Sequence, residues 1–180
     1  LENFCENNNM DLVSAVTVHF VPLGLYKGTG DTLENIAEGA TIAVPNDPTN
    51  EARALQLLAA QGLISLKEGV GLAATKNDIV DNPKNIEILE IEAAQLPRTL
   101  PDVAFAVING NYALEADVID SLVLTEDPQS DAAQEFANIL AVRAGDENSE
   151  ITKALVEVLT SAETKAFIEK TYGATVIAVF

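Results

Sequence analysis

Cysteine and basic residues are scarce in this chain, and each scarcity removes a class of function. Cys5 is the only cysteine in 180 residues, which excludes an intrachain disulfide and a cysteine-rich metal site. Lysine and arginine together number 10 against 28 aspartates and glutamates, so the formal net charge is −18. A chain this acidic repels nucleic acid phosphates and anionic lipid head groups. We therefore expect no nucleic acid partner.

Recognisable catalytic and membrane-spanning patterns are also missing. There is no glycine-rich phosphate loop, no zinc-binding His/Glu helix and no serine in a nucleophile elbow. His19 is the single histidine; it lies in an apolar segment without a serine, cysteine or acidic partner at catalytic spacing, which favours a structural role. No apolar run approaches the ~20 residues that span a bilayer. We expect a protein that is not an enzyme and that uses no cofactor or metal.

The elements that are present alternate in type, which indicates an α/β fold. Apolar and β-branched runs predict strands at residues 12–20, 41–44, 86–91, 103–108, 122–125 and 139–143. Helical spacing predicts helices at residues 50–61 and 113–118, one beginning at Asp131, and two covering residues 150–171. Gly62 is expected to end the first helix in a left-handed cap, and Ser161 to cap the last one. Residues 78–83 read as the end of a short helix followed by a break.

Residues 41–53 combine a strand, a Pro/Asn/Asp turn and a helix that carries Arg53 in its first turns. Free N–H groups at a helix N-terminus favour an anion, and a guanidinium can hold a carboxylate by two hydrogen bonds. Asn46 and Asn50 offer donors and acceptors around the same turn, although asparagine also suits turns and helix caps. Arg53 itself is either a carboxylate clamp or a surface residue of an amphipathic helix.

A second asparagine-rich loop follows the most apolar predicted strand. Asn109 comes directly after the continuously apolar run 103–108, so its amide is either a ligand contact or a turn former before Gly110. An asparagine opposite an arginine would satisfy both charged groups of an amino acid. Tyr26 and Tyr112 are weaker candidates for an apolar wall, since tyrosine is commonly a half-buried packing residue.

Five ordered motifs and the C-terminus together resemble the methionine-binding lipoproteins of the NlpA family, which are substrate-binding proteins of ABC importers. The motifs occupy residues 18–26, 43–55, 62–64, 95–98 and 106–109, and the resemblance extends to residues 173–180. It implies a type II periplasmic-binding-protein fold of two α/β lobes joined by crossover strands. Residues 1–25 would then be the remainder of lobe I and a crossover, residues 26–112 lobe II, and residues 113–180 the return to lobe I.

The resemblance also implies a function and a site. Arg53 would clamp an amino acid carboxylate, Asn109 would contact the ligand, and Asn50 would support the site, with Asn46 and Tyr112 as further candidates. The expected function is delivery of methionine or a similar amino acid to the membrane subunits of an ABC importer. The expected location is extracytoplasmic, with a lipid anchor if an upstream signal sequence and lipid-accepting cysteine exist.

Family members normally carry further residues before the position of Leu1, including strands of the first lobe. We therefore expect the first lobe to be incomplete in this chain, with unpaired strand edges. This leaves an alternative: a lobe-like module that self-associates or exchanges strands with a second copy and binds no small ligand on its own.

Overall fold

The computed structural model describes residues 1–127 and 135–180, apart from the side chain of Asn3, and they form two units. One unit consists of Leu1–Val21 with Asp127–Phe180, and the other is Pro22–Glu126. The second unit is longer at both ends than the predicted segment 26–112. The reason is that strands at residues 23–27 and 122–125 both pair within its sheet and cannot be separated from it.

The second unit contains a mixed five-stranded sheet. Its strands are β2 (Leu23–Lys27), β3 (Thr41–Pro45), β6 (Glu87–Ile91), β7 (Phe105–Asn109) and β8 (Leu122–Thr125), and their spatial order is β6-β3-β7-β2-β8. β3 runs parallel to β6 and β7, whereas β2 is antiparallel to β7 and β8. The apolar strand predicted at residues 103–108 is present as β7, which starts at Phe105 and ends at Asn109. It has one parallel neighbour, β3, and one antiparallel neighbour, β2.

Helices cover both faces of this sheet because its strands alternate apolar residues between two cores. Helix α2 (Pro48–Ala60) packs on one face, where Leu55 and Leu58 meet Phe105 and Val107 of β7. On the other face, α3 (Leu96–Thr99) and α4 (Gly110–Glu115) pack against the alternate residues of the same strands. The direction in which a β7 side chain points is thus decided by its parity in the sequence.

Besides β2, two short strands of this unit were not predicted. β4 (Ser65–Leu66) and β5 (Ile79–Asp81) pair antiparallel in a separate two-stranded sheet, and β5 comes directly after a 3₁₀ turn at Lys76–Asp78. The prediction of a helix end and then a break at residues 78–83 was correct for the turn, but it missed the strand β5 immediately after the turn. Strands of two or three residues are too short to show a period of two.

The first unit contains an antiparallel three-stranded sheet. Its strands are β1 (Leu12–Phe20), β9 (Asn138–Arg143) and β10 (Ile177–Ala178), in the order β10-β1-β9. His19 of β1 lies opposite Ala178 of β10, and burial lowers its pKa. The unit also contains helices α1 (Glu2–Asn8), α5 (Glu150–Leu159) and α6 (Ala162–Tyr172).

The helix predictions are largely confirmed, with shifts at the ends. Ser161 caps α6 as expected, because its Oγ accepts from the backbone N of Thr164 at 3.1 Å. Gly62 follows α2 with a φ of +70°, the left-handed conformation that the prediction required. The helix expected at 113–118 instead starts at Gly110 and ends at Glu115, since Asn109 caps it in extended conformation. The start expected at Asp131 lies outside the described residues.

No helix within the described ranges is both long and apolar enough to cross a bilayer.

Candidate functional site

The carboxyl ends of three strands meet at one edge of the second unit's sheet. β3 ends at Pro45, β7 at Asn109 and β8 at Thr125, and these strands share one direction. The antiparallel β2 begins at the same edge, with Leu23 in register with Asn109. Ligand sites of open α/β sheets lie at this kind of edge. Polar side chains that come directly after these strands are therefore placed close together.

The loop after β3 leads into α2 through an aspartate cap. Asp47 is the N-cap residue, Pro48 occupies the first turn, and Oδ1 of Asp47 accepts from the backbone N of Asn50 at 3.0 Å. The side-chain Nδ2 of Asn50 also donates to both carboxylate oxygens of Asp47, at 3.1 and 3.0 Å. A proline in the first turn preceded by an aspartate cap is a favoured helix start. The same capping that begins the helix thus fixes the Asn50 amide.

Arg53 is a buried residue of α2. Its side chain is 6% exposed and forms a two-pronged ion pair with Glu126: Nε donates to Oε1 at 3.1 Å and Nη2 to Oε2 at 2.5 Å. Nη1 donates to Oδ1 of Asn50 at 2.9 Å. The alternative of a surface arginine is therefore wrong. A buried guanidinium needs such partners, because an unpaired buried charge is strongly destabilising.

Asn109 joins this cluster from β7. Its residue number has the parity of Phe105 and Val107, so its side chain points to the face that α2 covers. Nδ2 of Asn109 lies 3.4 Å from Oδ1 of Asn50, and the residue is 8% exposed. Within the described part of the chain, its Oδ1 is buried and has no hydrogen-bond partner. A buried acceptor without a partner is uncommon and calls for an explanation.

The hydrogen-bond polarity of the cluster determines which atom of Asn109 is left over. A carboxylate accepts and a guanidinium donates, so Asn50 must turn its Nδ2 to Asp47 and its Oδ1 to Arg53. Oδ1 of Asn50 can then only accept from Asn109, which must present its Nδ2. The free atom is consequently an acceptor, and it fits a ligand that brings an N–H donor.

The two remaining candidates lie elsewhere. Asn46 is exposed after β3, and its backbone N donates to the carbonyl of Ile91 at 2.9 Å. Tyr112 is half-buried on the opposite face of the sheet, where it packs in the core cluster that contains Ile108. It lines a cavity of about 520 Å³, together with Gln95, Pro97, Arg98 and Glu115 among others. The structure does not bring Tyr112 into the Arg53 cluster.

Glu126 is the member of the cluster that sequence reasoning missed. Glu126 comes directly after β8, much as Asn109 lies at the end of β7. The sequence signal for Glu126 is therefore a polar side chain directly after a predicted strand. Its Oε2 also accepts from the backbone N of Leu23 at 2.7 Å, while its own N donates to the Leu23 carbonyl at 2.9 Å. The carboxylate therefore accepts from residues of two elements, Leu23 of β2 and Arg53 of α2.

A neighbouring carboxyl group on α2 has a perturbed pKa. Glu51 is 7% exposed and accepts from the backbone N of Lys76 at 3.0 Å. Burial raises the pKa of Glu51 from its ordinary 4.5, and the nearby carboxylate of Glu90 raises it further, whereas the Lys76 N–H opposes the shift.

Among the described residues, no group of three or more His, Cys, Asp or Glu side chains could hold a metal ion. The Arg53 cluster offers donors and an acceptor for binding.

A match to a family model along all 180 residues shows the sequence family of the chain. The model of the NlpA lipoprotein family matches residues 1–180. The chain belongs to this family. It is 39% identical over 175 residues to membrane lipoprotein TpN32 of Treponema pallidum, covering 96% of this chain and 63% of that relative. The chain thus spans less than two thirds of the length of this curated relative.

Solved structures of similar proteins share the fold. A nutrient-binding protein from Burkholderia cenocepacia bound to methionine is 41% identical with a TM-score of 0.90, covering 99% of this chain and 75% of that one. A periplasmic substrate-binding protein of an ABC transporter from Coxiella burnetii is 40% identical with a TM-score of 0.89, covering 99% and 74%. The predicted resemblance to the NlpA family and the α/β periplasmic-binding-protein fold are both confirmed.

Proposed function

We propose that the cluster of Arg53, Asn50 and Asn109 binds the charged groups of an amino acid of methionine type. In this arrangement Oδ1 of Asn109 accepts from the ligand's ammonium group, and the Arg53 guanidinium attracts its carboxylate. Asn50 orients both residues from between them. The protein would bind and deliver its ligand without doing chemistry on it.

The unpartnered Oδ1 of Asn109 is the observation that carries this proposal. Leaving a buried acceptor without a donor costs about 1–3 kcal/mol. That cost is removed when a ligand supplies the donor, and the ammonium group of an amino acid supplies up to three. The adjacent buried guanidinium makes a ligand that also carries a carboxylate the best match.

The choice of methionine, the transport role and the location draw support from the relatives. The Burkholderia protein was solved with methionine, and the Coxiella protein belongs to an ABC transporter. We infer that the partner of this chain is likewise the membrane part of an ABC importer. TpN32 is a membrane lipoprotein, which supports an extracytoplasmic, lipid-anchored location.

Calorimetric titration of the purified chain with L- and D-methionine tests the proposal. We expect heat of binding with at least one enantiomer. Arg53→Ala and Asn109→Ala should each weaken it by about 2 kcal/mol or more, roughly 30-fold, because each removes a charge-assisted contact. Arg98→Ala and Asn35→Ala are matched controls, since both side chains are exposed. Absence of heat at millimolar methionine would refute autonomous binding.

The Arg98 control also locates the site. Arg98 lines the cavity beside Tyr112, on the face of the sheet opposite to Arg53. If Arg98→Ala weakened binding while Arg53→Ala did not, the ligand would occupy that cavity and the proposed cluster would be wrong.

Family membership does not favour the alternative of a self-associating module without a ligand. Oligomerisation stays a prediction, which sedimentation velocity can test separately: a tight dimer that shows no response to methionine would revive the alternative.

A further inference from the structure

We propose that Glu126 sets the charge preference of the Arg53 cluster, so that the site selects a zwitterion over a related anion that lacks an ammonium group. This inference rests on the proposed amino acid site. It concerns a residue that contacts Arg53, and it assigns Glu126 the role of a specificity-determining residue.

The ion pair gives Glu126 a strong influence on Arg53. Both carboxylate oxygens contact the guanidinium, at 3.1 and 2.5 Å, and the Glu126 side chain is only 13% exposed. Solvent screens charge interactions poorly at such burial. Arg53 therefore does not present a full isolated positive charge to a ligand.

Glu126 is also held in place independently of Arg53. It comes directly after β8, and its main chain and side chain both pair with the main chain of Leu23, the first residue of β2. Leu23 in turn lies opposite Asn109 in register. The Glu126 carboxylate is thus fixed relative to both Arg53 and Asn109. Its charge therefore acts on any ligand that these two residues bind.

The charges of the cluster favour a ligand with a cationic end. Arg53 contributes one positive charge, while Glu126 and Asp47 contribute one negative charge each. Among the residues that the structure describes, the one buried side-chain nitrogen or oxygen atom without a hydrogen-bond partner is the acceptor Oδ1 of Asn109. A carboxylate ligand without an ammonium would meet a negative cluster and leave that acceptor unsatisfied. A zwitterion places its ammonium against the acceptor and its carboxylate near the guanidinium.

Three probes with the same thioether chain separate these effects. They are L-methionine, 4-(methylsulfanyl)butanoate, which lacks the ammonium, and 3-(methylsulfanyl)propan-1-amine, which lacks the carboxylate. Each is titrated by calorimetry, and by amide NMR for weak binding, into the wild type and Glu126→Gln. We expect Glu126→Gln to lower the affinity for the amine relative to that for the butanoate by about tenfold or more.

A purely structural ion pair would give a different result. If Glu126 only held Arg53 in place, its loss would weaken all three probes in parallel and leave their affinity ratios unchanged. Glu126→Asp keeps the charge and should keep the ratios close to those of the wild type. If Glu126→Gln does not fold, Asp47→Asn removes the cluster's other negative charge while keeping a good helix cap, and should move the ratios in the same direction.

The outcomes distinguish this inference from the proposed function. Methionine binding by the wild type with unchanged ratios in Glu126→Gln, or in Asp47→Asn if Glu126→Gln does not fold, would overturn the inference and leave the amino acid site standing. Binding of none of the probes by the wild type would overturn both. A shift of the ratios toward the anion, with Glu126→Asp resembling the wild type, is the result that we expect.

Discussion

Oδ1 of Asn50 accepts from Nη1 of Arg53 at 2.9 Å, one helical turn further along α2. The same oxygen lies 3.4 Å from Nδ2 of Asn109. Because Nδ2 of Asn50 is bound to Asp47, this oxygen cannot exchange places with the nitrogen. The residues that begin the helix therefore also orient the proposed site, and stability and ligand binding are coupled through Asn50.

We predict that Asp47→Ala destabilises the chain and weakens ligand binding together. Loss of the side-chain cap on α2 should reduce the free energy of unfolding by about 1 kcal/mol, within a range of about 0.5–2 kcal/mol. The Asn50 amide also loses the partner that fixes its direction. Urea denaturation and methionine titration measure the two effects. Asp47→Asn should retain most of the stability, and equal destabilisation by both variants would contradict the capping role.

We predict that Glu51→Gln changes how stability depends on pH. Burial raises the pKa of Glu51 in the folded chain above its ordinary 4.5, so the folded state binds the proton more tightly than the unfolded state. Stability is therefore lost as the pH rises from about 4.5 through the raised pKa. Glutamine can still accept from the Lys76 N–H but carries no charge.

Urea denaturation at pH 4 and pH 7 measures this effect. The free energy of unfolding of Glu51→Gln minus that of the wild type should be larger at pH 7 than at pH 4. Glu68→Gln is the matched control, because that carboxylate is exposed. The same pH dependence in Glu51→Gln and in the wild type would show that the buried carboxyl does not titrate as expected.

The sequence allowed prediction that Arg53, Asn50 and Asn109 lie together, but not of the ion pair between Arg53 and Glu126. Arg53 and Asn50 lie one turn apart on a helix that its proline and aspartate make recognisable. The Arg53–Glu126 contact joins residues 73 positions apart, and it depends on where β8 enters the sheet. Chain order does not reveal that position, because β8 pairs with β2 and not with β7, the preceding strand in sequence.

Tyr112 shows a second limit of the sequence. It lies only three residues after Asn109, yet it faces the other core of the sheet because the chain turns from β7 into α4 between them. Period-two parity predicts the direction of Asn109 correctly. Parity no longer applies once the helix begins, so closeness in sequence to Asn109 does not place Tyr112 in the Arg53 cluster.

We predict that Gly28→Ala is strongly destabilising. A Cβ at residue 28 would collide with the carbonyl oxygens of Leu100 and Val103, and backbone atoms cannot move aside as a flexible side chain can. We expect a loss of about 2 kcal/mol or more in the free energy of unfolding. Gly62→Ala is the comparison variant, because it has open space but a φ of +70°, and should lose about 1–2 kcal/mol through backbone strain. Wild-type stability of Gly28→Ala in denaturation would refute the close approach.

We predict that Asn109→Leu separates stability from binding. The substitution removes a buried acceptor that has no partner in the unliganded chain and loses one long hydrogen bond to Asn50. Removal of an unsatisfied polar group offsets that loss, so the free energy of unfolding should stay within about 1 kcal/mol of the wild type or rise. Methionine binding should nevertheless fall at least about 30-fold, because leucine cannot accept from an ammonium group. Urea denaturation without ligand and calorimetric titration with it measure the two quantities on the same samples. Destabilisation by more than about 2 kcal/mol would mean that Asn109 is satisfied within the fold, and the case for a ligand at its Oδ1 would be lost.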